Sequence, residues 1–391
     1  MKIRAITGVC ALLLASTSNA AEAGLTIYGL LDYGVNYVSN IGGETRWAGT
    51  SGLMQGSRLG FKGLEKLGPD LSALFQVENG LDLGTGQAQQ GGLLFGRQAY
   101  VGLLSDTYGA VTLGRQYDSM VTFIGSRVTS PVYGGGITAH PGDIDNLNNS
   151  KRVNNAVKYM SPSFGGVTFG GLYGFGEQPG NGSRNQIWSV GAGYDNERLT
   201  LGTAYLNVRN PNQSYFTSNP TNVPGVALNN MTGSPIYSGF SSAGLYDAYG
   251  ATARYSFDAL KVGLVYTHIN FGKLGDTSSG ANPQRLSGTA KFDIGEINFT
   301  YNWTQNLISE LVYSYTRGSG VGNIGGSHYN TFALSLDYYF SKRTDVYIIS
   351  ATQNASGTDS TGKSARATLN TQAASGSDKQ TFVQIGLRHK F

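Results

Sequence analysis

Hydrophobic and polar residues alternate with a period of two near both ends of the chain. In the first such segment, one parity is mainly apolar and the other mainly polar: Leu25, Ile27, Gly29, Leu31, Tyr33, Val35 and Tyr37 against Thr26, Tyr28, Asp32, Gly34 and Asn36. In the last segment the two sets are Val383, Ile385, Leu387, His389 and Phe391 against Gln384, Gly386, Arg388 and Lys390. Successive side chains of a β-strand point to opposite faces, so both segments are predicted to be strands with one apolar face.

Further segments between these ends have the length and composition of strands. They lie near 55–64, 70–79, 95–105, 109–117, 153–161, 166–175, 186–195, 199–208, 247–257, 259–269, 291–303, 308–317, 329–340 and 344–353. Brief turns alternate with long Gly-, Ser- and Asn-rich connections, the longest being about 118–152, 209–246 and 354–380. This alternation of turn and loop is typical of a transmembrane barrel. The predicted fold is all-β: a 16-stranded antiparallel transmembrane β-barrel with short periplasmic turns and long extracellular loops.

The number of strands also predicts what the barrel encloses. Sixteen strands in residues 21–391 leave about 23 residues for each strand and its connection, enough for strands of about 10 residues that cross the membrane at a tilt. Barrels of about 16–18 strands enclose an aqueous channel. We therefore expect a water-filled lumen. Aromatic residues at strand ends are predicted to form interfacial girdles, among them Tyr301, Trp303, Tyr338 and Phe340.

The first twenty residues have the features of an export signal. Two basic residues precede the apolar run 6–15, and Ser18-Asn19-Ala20 is a small-x-small cleavage site. The expected organisation is a signal peptide at 1–20 and one barrel domain at 21–391. The apolar run is too short for a membrane-spanning helix, and nowhere later do about 18 apolar residues follow one another.

Composition and charge exclude several classes of protein. The predicted signal contains two of the 28 Lys and Arg, so 26 remain against 24 Asp and Glu, and no nucleic-acid partner is expected. The 57 Gly and 24 Tyr suit neither a soluble enzyme nor a helical membrane protein, while 40% hydrophobic residues are ample for an ordered structure. Cys10, the single cysteine, lies in the predicted signal, so no disulfide or thiol nucleophile is expected.

Seven blocks of sequence lie in order along nearly all of the chain after the signal. They are Leu25-Thr-Ile-Tyr-Gly-Leu-Leu-Asp32, Ser57-Arg-Leu-Gly-Phe-Lys-Gly63, Phe95-Gly-Arg-Gln-Ala-Tyr-Val-Gly-Leu103, Gly109-Ala-Val-Thr-Leu-Gly-Arg-Gln116, Arg152-Val-Asn-Asn-Ala-Val-Lys-Tyr-Met-Ser-Pro162, Ser341-Lys-Arg-Thr-Asp-Val-Tyr347 and Gly386-Leu-Arg-His-Lys-Phe391. Together they resemble the general porins of Gram-negative bacteria, of the Burkholderia, Bordetella and Neisseria type. The resemblance implies a homotrimer in outer-membrane lipid and lipopolysaccharide that passes small hydrophilic solutes and ions by passive diffusion.

In that family the third long loop folds into the lumen and faces basic residues of the wall. The resemblance implies that this loop is about 118–152. The wall positions fall on Arg58, Arg97 and Arg152. Alternation puts Arg58 and Arg152 on inward faces, which they share with Lys62 and Lys158. Arg97 has the parity of apolar neighbours, so an inward position requires a bulge or a different lipid face. Each Arg is also compatible with an ordinary solvated charge.

Acidic residues of the same loop are predicted to oppose the basic wall. They are Asp118, Asp143 and Asp145. Arg and Asp across a narrow lumen create a transverse field that acts on permeating ions by sign. Each Asp is also compatible with a solvated loop charge. Val132 stands where related porins carry an acid, in Pro131-Val-Tyr-Gly-Gly-Gly136.

Two further residues are expected to act in assembly. Arg115 has the outward parity of Val111 and Leu113, so we expect it either at a contact between subunits or at the membrane interface as a strand-end cation. Phe391, the last residue of an alternating strand, resembles the signal that the barrel-insertion machinery reads.

The predicted inward charges favour anions. Inward cations outnumber inward acids: Arg58, Lys62, Arg97, Arg152, Lys158, Arg388 and Lys390 against Asp32, Glu78 and the loop acids. Rings of Arg or Lys favour anions, so a modest anion preference is predicted.

Three other functions are possible for such a barrel. An enzyme is not expected, because the four His (His140, His268, His328 and His389) lie in no catalytic motif and have no metal-ligand spacing. No cofactor or metal is therefore predicted. A substrate-selective channel differs from a general porin in a few lumen residues only. An adhesin or receptor barrel would act through its long loops, which carry no binding signature.

Overall fold

The computed structural model describes residues 24–218 and 226–391, which form one antiparallel β-sheet with long connections. The strands are β1 (Gly24–Ile41), β2 (Glu44–Ser51), β3 (Arg58–Lys66), β4 (Leu71–Gly80), β5 (Gln98–Ser105), β6 (Gly109–Gln116), β7 (Val153–Met160), β8 (Val167–Gly174), β9 (Ile187–Asp195), β10 (Leu199–Arg209), β11 (Leu245–Phe257), β12 (Leu260–Leu274), β13 (Gly288–Asn302), β14 (Leu307–Gly318), β15 (Ser327–Tyr339), β16 (Thr344–Gly357) and β17 (Lys379–Lys390). The predicted signal peptide at 1–20 lies outside the described residues.

The sheet closes on itself between its first and last strands. One edge of β1 pairs with β17 in a register that sets Gly34 opposite Gly386. The other edge of β1 pairs with β2 and then with β3, so these two segments are the halves of one interrupted strand. The 17 segments of the sheet therefore occupy sixteen positions around a closed barrel. The predicted 16-stranded antiparallel barrel is confirmed.

A long-range contact explains the interruption between β2 and β3. The Asp32 carboxylate accepts the backbone N–H of Gln55 at 2.8 Å, and the Ser57 hydroxyl donates to the Asp32 carbonyl at 3.0 Å. Gly52 has φ +74°, a conformation that favours glycine. Residues 52–57 thus leave the ladder. The strand predicted at 55–64 is β3, and its other half, β2, was not predicted.

The two faces of the barrel wall differ as the alternation requires. In β17, Ile385 and Leu387 are 64% and 51% exposed, whereas Gln384 and Arg388 of the opposite parity are buried. An outward apolar band is the surface that a hydrocarbon layer contacts. In the described ranges, no helix is long and apolar enough to cross a membrane.

Pairs of exposed aromatic residues border the short turns of the barrel. Tyr301 packs on Trp303 with ring centroids 4.8 Å apart, and Tyr338 packs on Phe340 at 5.4 Å. Both pairs border a turn, at 303–306 and 340–343. Amphipathic rings in this position suit the boundary between lipid and water.

From β4 onwards, short and long connections alternate around the barrel, whereas β1 and β2 are joined by 42–43 alone. The long ones include 81–97, 117–152, 210–244, 275–287 and 358–378. They carry short helical turns: π turns at Met120–Ile124 and Ser130–Gly134, 3-10 turns at Gly125–Arg127, Gly136–Thr138, Pro141–Asp143 and Ser238–Phe240, and an α turn at Pro211–Ser214. Residues 117–152, which join β6 to β7, are called the inner loop below.

The inner loop packs against the inward face of the wall. Its Phe123 lies over two wall glycines: a Cβ on Gly191 would be 2.4 Å from the Phe123 ring, and one on Gly202 would be 1.9 Å from the Phe123 carbonyl oxygen. Hydroxyls of the loop also reach β13, since Ser130 donates to Glu296 at 2.9 Å and Thr129 to Asn298 at 2.7 Å. Small residues on the wall therefore make room for the loop, and polar contacts hold it there.

Candidate functional site

A buried ion pair stands on the wall beside the inner loop. The Nε of Arg97 lies 2.6 Å from Oε1 of Glu78, and the two side chains are 7% and 5% exposed. The other Glu78 oxygen accepts the hydroxyl of Tyr28 at 2.9 Å. Both oxygens of this carboxylate are thus satisfied, as burial of a charge requires.

Two further arginines join Arg97 around Tyr117, the first residue of the inner loop. Arg97 donates to the Tyr117 hydroxyl at 3.3 Å and Arg152 at 3.5 Å, and the Arg152 guanidinium lies 5.2 Å from the centre of the Tyr117 ring. Arg58 is close enough to Arg97 and Glu78 to interact with both electrostatically. Arg58, Arg97 and Arg152, with Glu78 and Tyr117, are called the arginine cluster below.

The inward position of Arg97 has a local cause. The ladder between β4 and β5 sets Gln98 opposite Glu78, and Arg97 precedes this pair. Its backbone N–H still donates to the Glu78 carbonyl at 3.2 Å. Because Arg97 lies just outside the strand, its side chain does not follow the parity of Val101 and Leu103.

The cluster carries an excess of positive charge. Arg58, Arg97 and Arg152 supply three positive charges, and Glu78, which pairs directly with Arg97, supplies one negative charge. In surroundings of low dielectric constant such charges act strongly on a passing ion. The arrangement is suited to attract anions.

The two predicted lysines differ in their contacts. Lys158 donates to the Tyr117 carbonyl at 3.0 Å and to the Thr122 hydroxyl at 2.7 Å, and therefore fastens the start of the inner loop to β7. Lys62 lies 5.5 Å from the centre of the Tyr28 ring on the inward face of β3.

The loop acids do not oppose the arginines as expected. Asp118, Asp143 and Asp145 are all 0% exposed. Asp118 accepts backbone N–H groups of Met120 and Val121 at 2.8 and 3.2 Å and the hydroxyl of Tyr215 at 2.7 Å. The expectation that these carboxylates face the lumen is corrected, because each is enclosed by its own hydrogen-bond donors.

Asp143 and Asp145, like Asp118, accept hydrogen bonds from buried donors of the protein. Asp143 accepts the backbone N–H groups of Asn148 and Ser150, both at 3.0 Å. Asp145 accepts the hydroxyl of Thr267 on β12 at 2.7 Å. Asp143 thus shapes the loop, and Asp145 joins it to the wall. The acid placed against the arginines is Glu78, from the wall itself.

His140 lies between two carboxylates where the inner loop meets β13. Its Nδ1 is 2.6 Å from Asp145 Oδ2, and its Nε2 is 3.2 Å from Glu296 Oε2. Burial opposes the imidazolium, but Asp145 and Glu296 outweigh it and hold the pKa of His140 well above its ordinary value. Burial likewise opposes the Asp145 carboxylate, and His140 outweighs it and lowers the Asp145 pKa. This triad was not predicted, since Glu296 on β13 lies far in sequence from His140 and Asp145.

A second buried charge cluster surrounds Arg388 on β17. Arg388 donates to Asp337 at 2.9 Å and to Asp345 at 3.1 and 3.0 Å, and all three side chains are at most 1% exposed. Two carboxylates therefore surround one guanidinium. Although Arg388 points inward as predicted, its charge is balanced, unlike that of the arginine cluster.

The two residues expected in assembly have partners within the chain. Arg115 lies at an irregularity of the β6–β7 ladder and donates to the Gly96 carbonyl at 2.9 Å, to Asn154, and to Ser218 at 3.3 Å. Its guanidinium needs no second subunit to be satisfied. Phe391 exchanges two backbone hydrogen bonds with Gly29 of β1, so the end of the chain pairs with the first strand.

Comparison with known proteins agrees with the barrel fold. Residues 7–358 match the family model of Gram-negative porins. An outer membrane porin protein of Bordetella pertussis is 29% identical over 417 residues, covering 98% of this chain and 99% of the relative.

In the described part of the chain, no group of three or more His, Cys, Asp or Glu is placed to hold a metal ion.

Solved structures share the fold. The anion-selective porin from Comamonas acidovorans has a TM-score of 0.68 and 22% identity, covering 95% of this chain and all of that one. The trimer form of the in-vitro folded outer membrane protein OmpT of Vibrio cholerae has a TM-score of 0.63 and 16% identity, covering 95% and 100%. This chain belongs to the Gram-negative porin family. It is a multi-pass β-barrel of the outer membrane and a channel for passive diffusion, and its relatives are channels rather than enzymes.

Proposed function

We propose that the arginine cluster is the selective constriction of this channel and gives it a modest preference for anions. The observation that carries the proposal is that Arg97 and Arg152 meet at the Tyr117 hydroxyl, with Arg58 near Arg97, while Glu78 pairs directly with Arg97 alone. Each anion that passes Tyr117 meets a net positive charge on a wall whose solvent access is limited. The structural similarity to the anion-selective porin from Comamonas acidovorans also supports a preference for anions.

The test is the reversal potential of single channels in a planar bilayer under a salt gradient. Wild type is compared with the double variant Arg58→Ala/Arg152→Ala, which removes two charges of the cluster. We expect large stable steps in both proteins and a reversal potential that moves towards cation preference in the variant.

A matched control removes two cations elsewhere. Lys342 and Arg343 are exposed in the short turn between β15 and β16, and Lys342→Ala/Arg343→Ala therefore changes net charge equally without touching the cluster. Clear cation preference in wild type, or equal shifts in the two double variants, would contradict the proposal.

We also propose that the channel works as a homotrimer in outer-membrane lipid and lipopolysaccharide, and that the barrel-insertion machinery reads Phe391. The trimer form of the similar Vibrio cholerae barrel and the exposed apolar outer face support this assembly. We expect conductance steps in threes and a heat-sensitive oligomer on gels. A monomer under mild detergent conditions would contradict the trimer, and normal assembly of Phe391→Ala in cells would contradict the role of Phe391.

A further inference from the structure

A small cavity of about 140 Å³ lies where the inner loop meets the two long connections 210–244 and 358–378. Its lining includes Ser150, Lys151, Phe216, Tyr237, Asn370 and Gln372. Three of the lining residues are exposed, Ser150, Gly233 and Thr371, so the cavity opens to solvent. We call it the loop cavity. Its lining contains no residue of the arginine cluster.

Lys151 is the charged residue of the loop cavity. The residue is 7% exposed, and its ammonium group donates to the backbone carbonyl of Asp143 at 2.8 Å. An ammonium group has three donors. This contact therefore leaves Lys151 with capacity to bind a further acceptor in the cavity.

Two aromatic rings flank this ammonium group. Lys151 Nζ lies 4.8 Å from the centre of the Phe216 ring and 5.8 Å from that of Tyr237, and the two rings are 4.9 Å apart. Phe216 is part of a larger aromatic cluster that also includes Tyr246 and Phe271. The cavity thus offers a cation and an apolar, flat-sided wall within a few ångströms.

The remaining lining residues are neutral. Among the described residues that line the loop cavity, none is Asp or Glu. Burial, together with the nearby Asp143, raises the pKa of Tyr237 to about 12, so its hydroxyl stays protonated at neutral pH. Side-chain hydroxyl and amide groups near Lys151 complete a set of partners that suits a carboxylate better than a cation.

We propose that the loop cavity binds one small organic carboxylate with a planar ring, of the benzoate class, and that the channel thereby favours such anions over simple ones. The carboxylate lies against Lys151, and the ring packs beside Phe216 and Tyr237. This inference rests on the proposed function, because a binding site in the loops matters only if the barrel conducts.

Size and energetics support this class of ligand. A cavity of about 150 Å³ in another protein accommodates one benzene molecule, so about 140 Å³ fits a single small ring and excludes a sugar chain or a peptide. A buried ammonium is destabilised by the loss of water. Asp118, Asp143 and Asp145 interact with this ammonium electrostatically, and an anion in the cavity adds a direct partner for it, whereas a neutral ring does not.

The experiment measures interruption of single-channel current in KCl by added solutes. Benzoate is compared with acetate, which lacks the ring, and with benzamide, which lacks the charge. We expect benzoate to interrupt the current at concentrations at least tenfold below those of acetate or benzamide. Equal potency of benzoate and acetate, or of benzoate and benzamide, would overturn the proposal.

Variants locate the effect in the cavity. Lys151→Met should raise the half-blocking benzoate concentration at least tenfold, and Phe216→Leu should remove the advantage of benzoate over acetate. Lys363→Met is the matched control, because Lys363 is exposed in the connection 358–378 and does not line the cavity. An equal loss of block in the control, or full block in both cavity variants, would overturn the proposal.

Conductance in KCl alone distinguishes this inference from the proposed function. Each variant is used only after it shows wild-type steps in KCl, which also establishes that it has folded. If wild type itself forms no channel, the proposed function fails. If wild type conducts but benzoate leaves its current unchanged, only the loop cavity proposal fails.

Discussion

The backbone of Phe391 exchanges two hydrogen bonds with that of Gly29, at 3.1 and 3.0 Å, and the Phe391 ring lies over this glycine. A Cβ on Gly29 would be 2.3 Å from the ring. Similar pairs of a strand glycine and an aromatic ring are Gly49 with Tyr33, Gly60 with Tyr28, Gly63 with Phe75, and Gly386 with Tyr347. An aromatic ring covers the glycine backbone and helps to fix strand register. These contacts are one physical reason why the chain contains so many Gly and Tyr residues.

The first prediction concerns one such pair. Gly60→Ala would place a Cβ 2.4 Å from the Tyr28 ring and displace the hydroxyl that holds Glu78. We expect the free energy of unfolding in detergent micelles to fall by about 1–3 kcal/mol. In Gly68→Ala, the control, the added Cβ has no atom within 4 Å, and the change should stay within about 0.5 kcal/mol. Equal stability of the two variants would show that Tyr28 moves aside freely.

The second prediction concerns the carboxylate of the arginine cluster. Glu78→Gln removes the one negative charge of the arginine cluster, so the reversal potential should move further towards anion preference. Glu65→Gln is the control, because Glu65 is exposed near the short-turn end of β3. A shift towards cations in Glu78→Gln, or equal shifts in the two variants, would mean that Glu78 does not set the field at the constriction.

The third prediction separates Arg388 from the arginine cluster. Arg388→Ala would leave Asp337 and Asp345 buried without a cation, which typically costs about 3–5 kcal/mol. We expect a large fall in the urea concentration at the unfolding midpoint. Ion selectivity should change less than in Arg58→Ala/Arg152→Ala, measured on the folded fraction, because the Arg388 charge is already balanced. Normal stability of Arg388→Ala combined with a large shift in its ion selectivity would mean that Arg388 acts on permeating ions and not on stability.

The strands could be predicted because each carries its own signal. Alternation is local, and it identified the sixteen positions of the barrel. The interruption at 52–57 depends instead on Asp32, which binds Gln55 and Ser57 from another strand. Nothing in the residues around 44–51 signals that contact, and β2 was therefore missed.

The candidate site was less predictable, because its contacts also join residues that are far apart in sequence. Alternation and family resemblance pointed to Arg58 and Arg152, but Arg97 was ambiguous because its position depends on where the ladder ends. Asp118, Asp143 and Asp145 were predicted to face the lumen because their negative charge is complementary to the basic wall. Their actual partners include Tyr215, which is 97 residues from Asp118. A pattern within the loop cannot reveal such a partner.

The last prediction concerns the pH dependence of the contact between the inner loop and the wall. The pKa of His140 is raised, so its contribution to stability is complete below the ordinary His value of about 6.5 and is lost as pH rises through the folded-state pKa. The pKa of Asp145 is lowered, so its contribution is complete above the ordinary Asp value of about 3.9 and is lost as pH falls through its folded-state pKa. The triad should therefore stabilise the protein most between about pH 4 and 6.5.

This window is tested with His140→Asn, which removes the charge. The free energy of unfolding should favour wild type most near pH 5.5, and the difference should shrink by at most about 1.4 kcal/mol for each pH unit above 6.5. His389→Asn is the control, because His389 lies at the end of β17 outside the triad. A difference that stays constant from pH 5.5 to 8.5 would mean that folding does not raise the pKa of His140. The inner loop would then be held to the wall by hydrogen bonds such as those of Ser130 and Thr129, and not by the His140 charge.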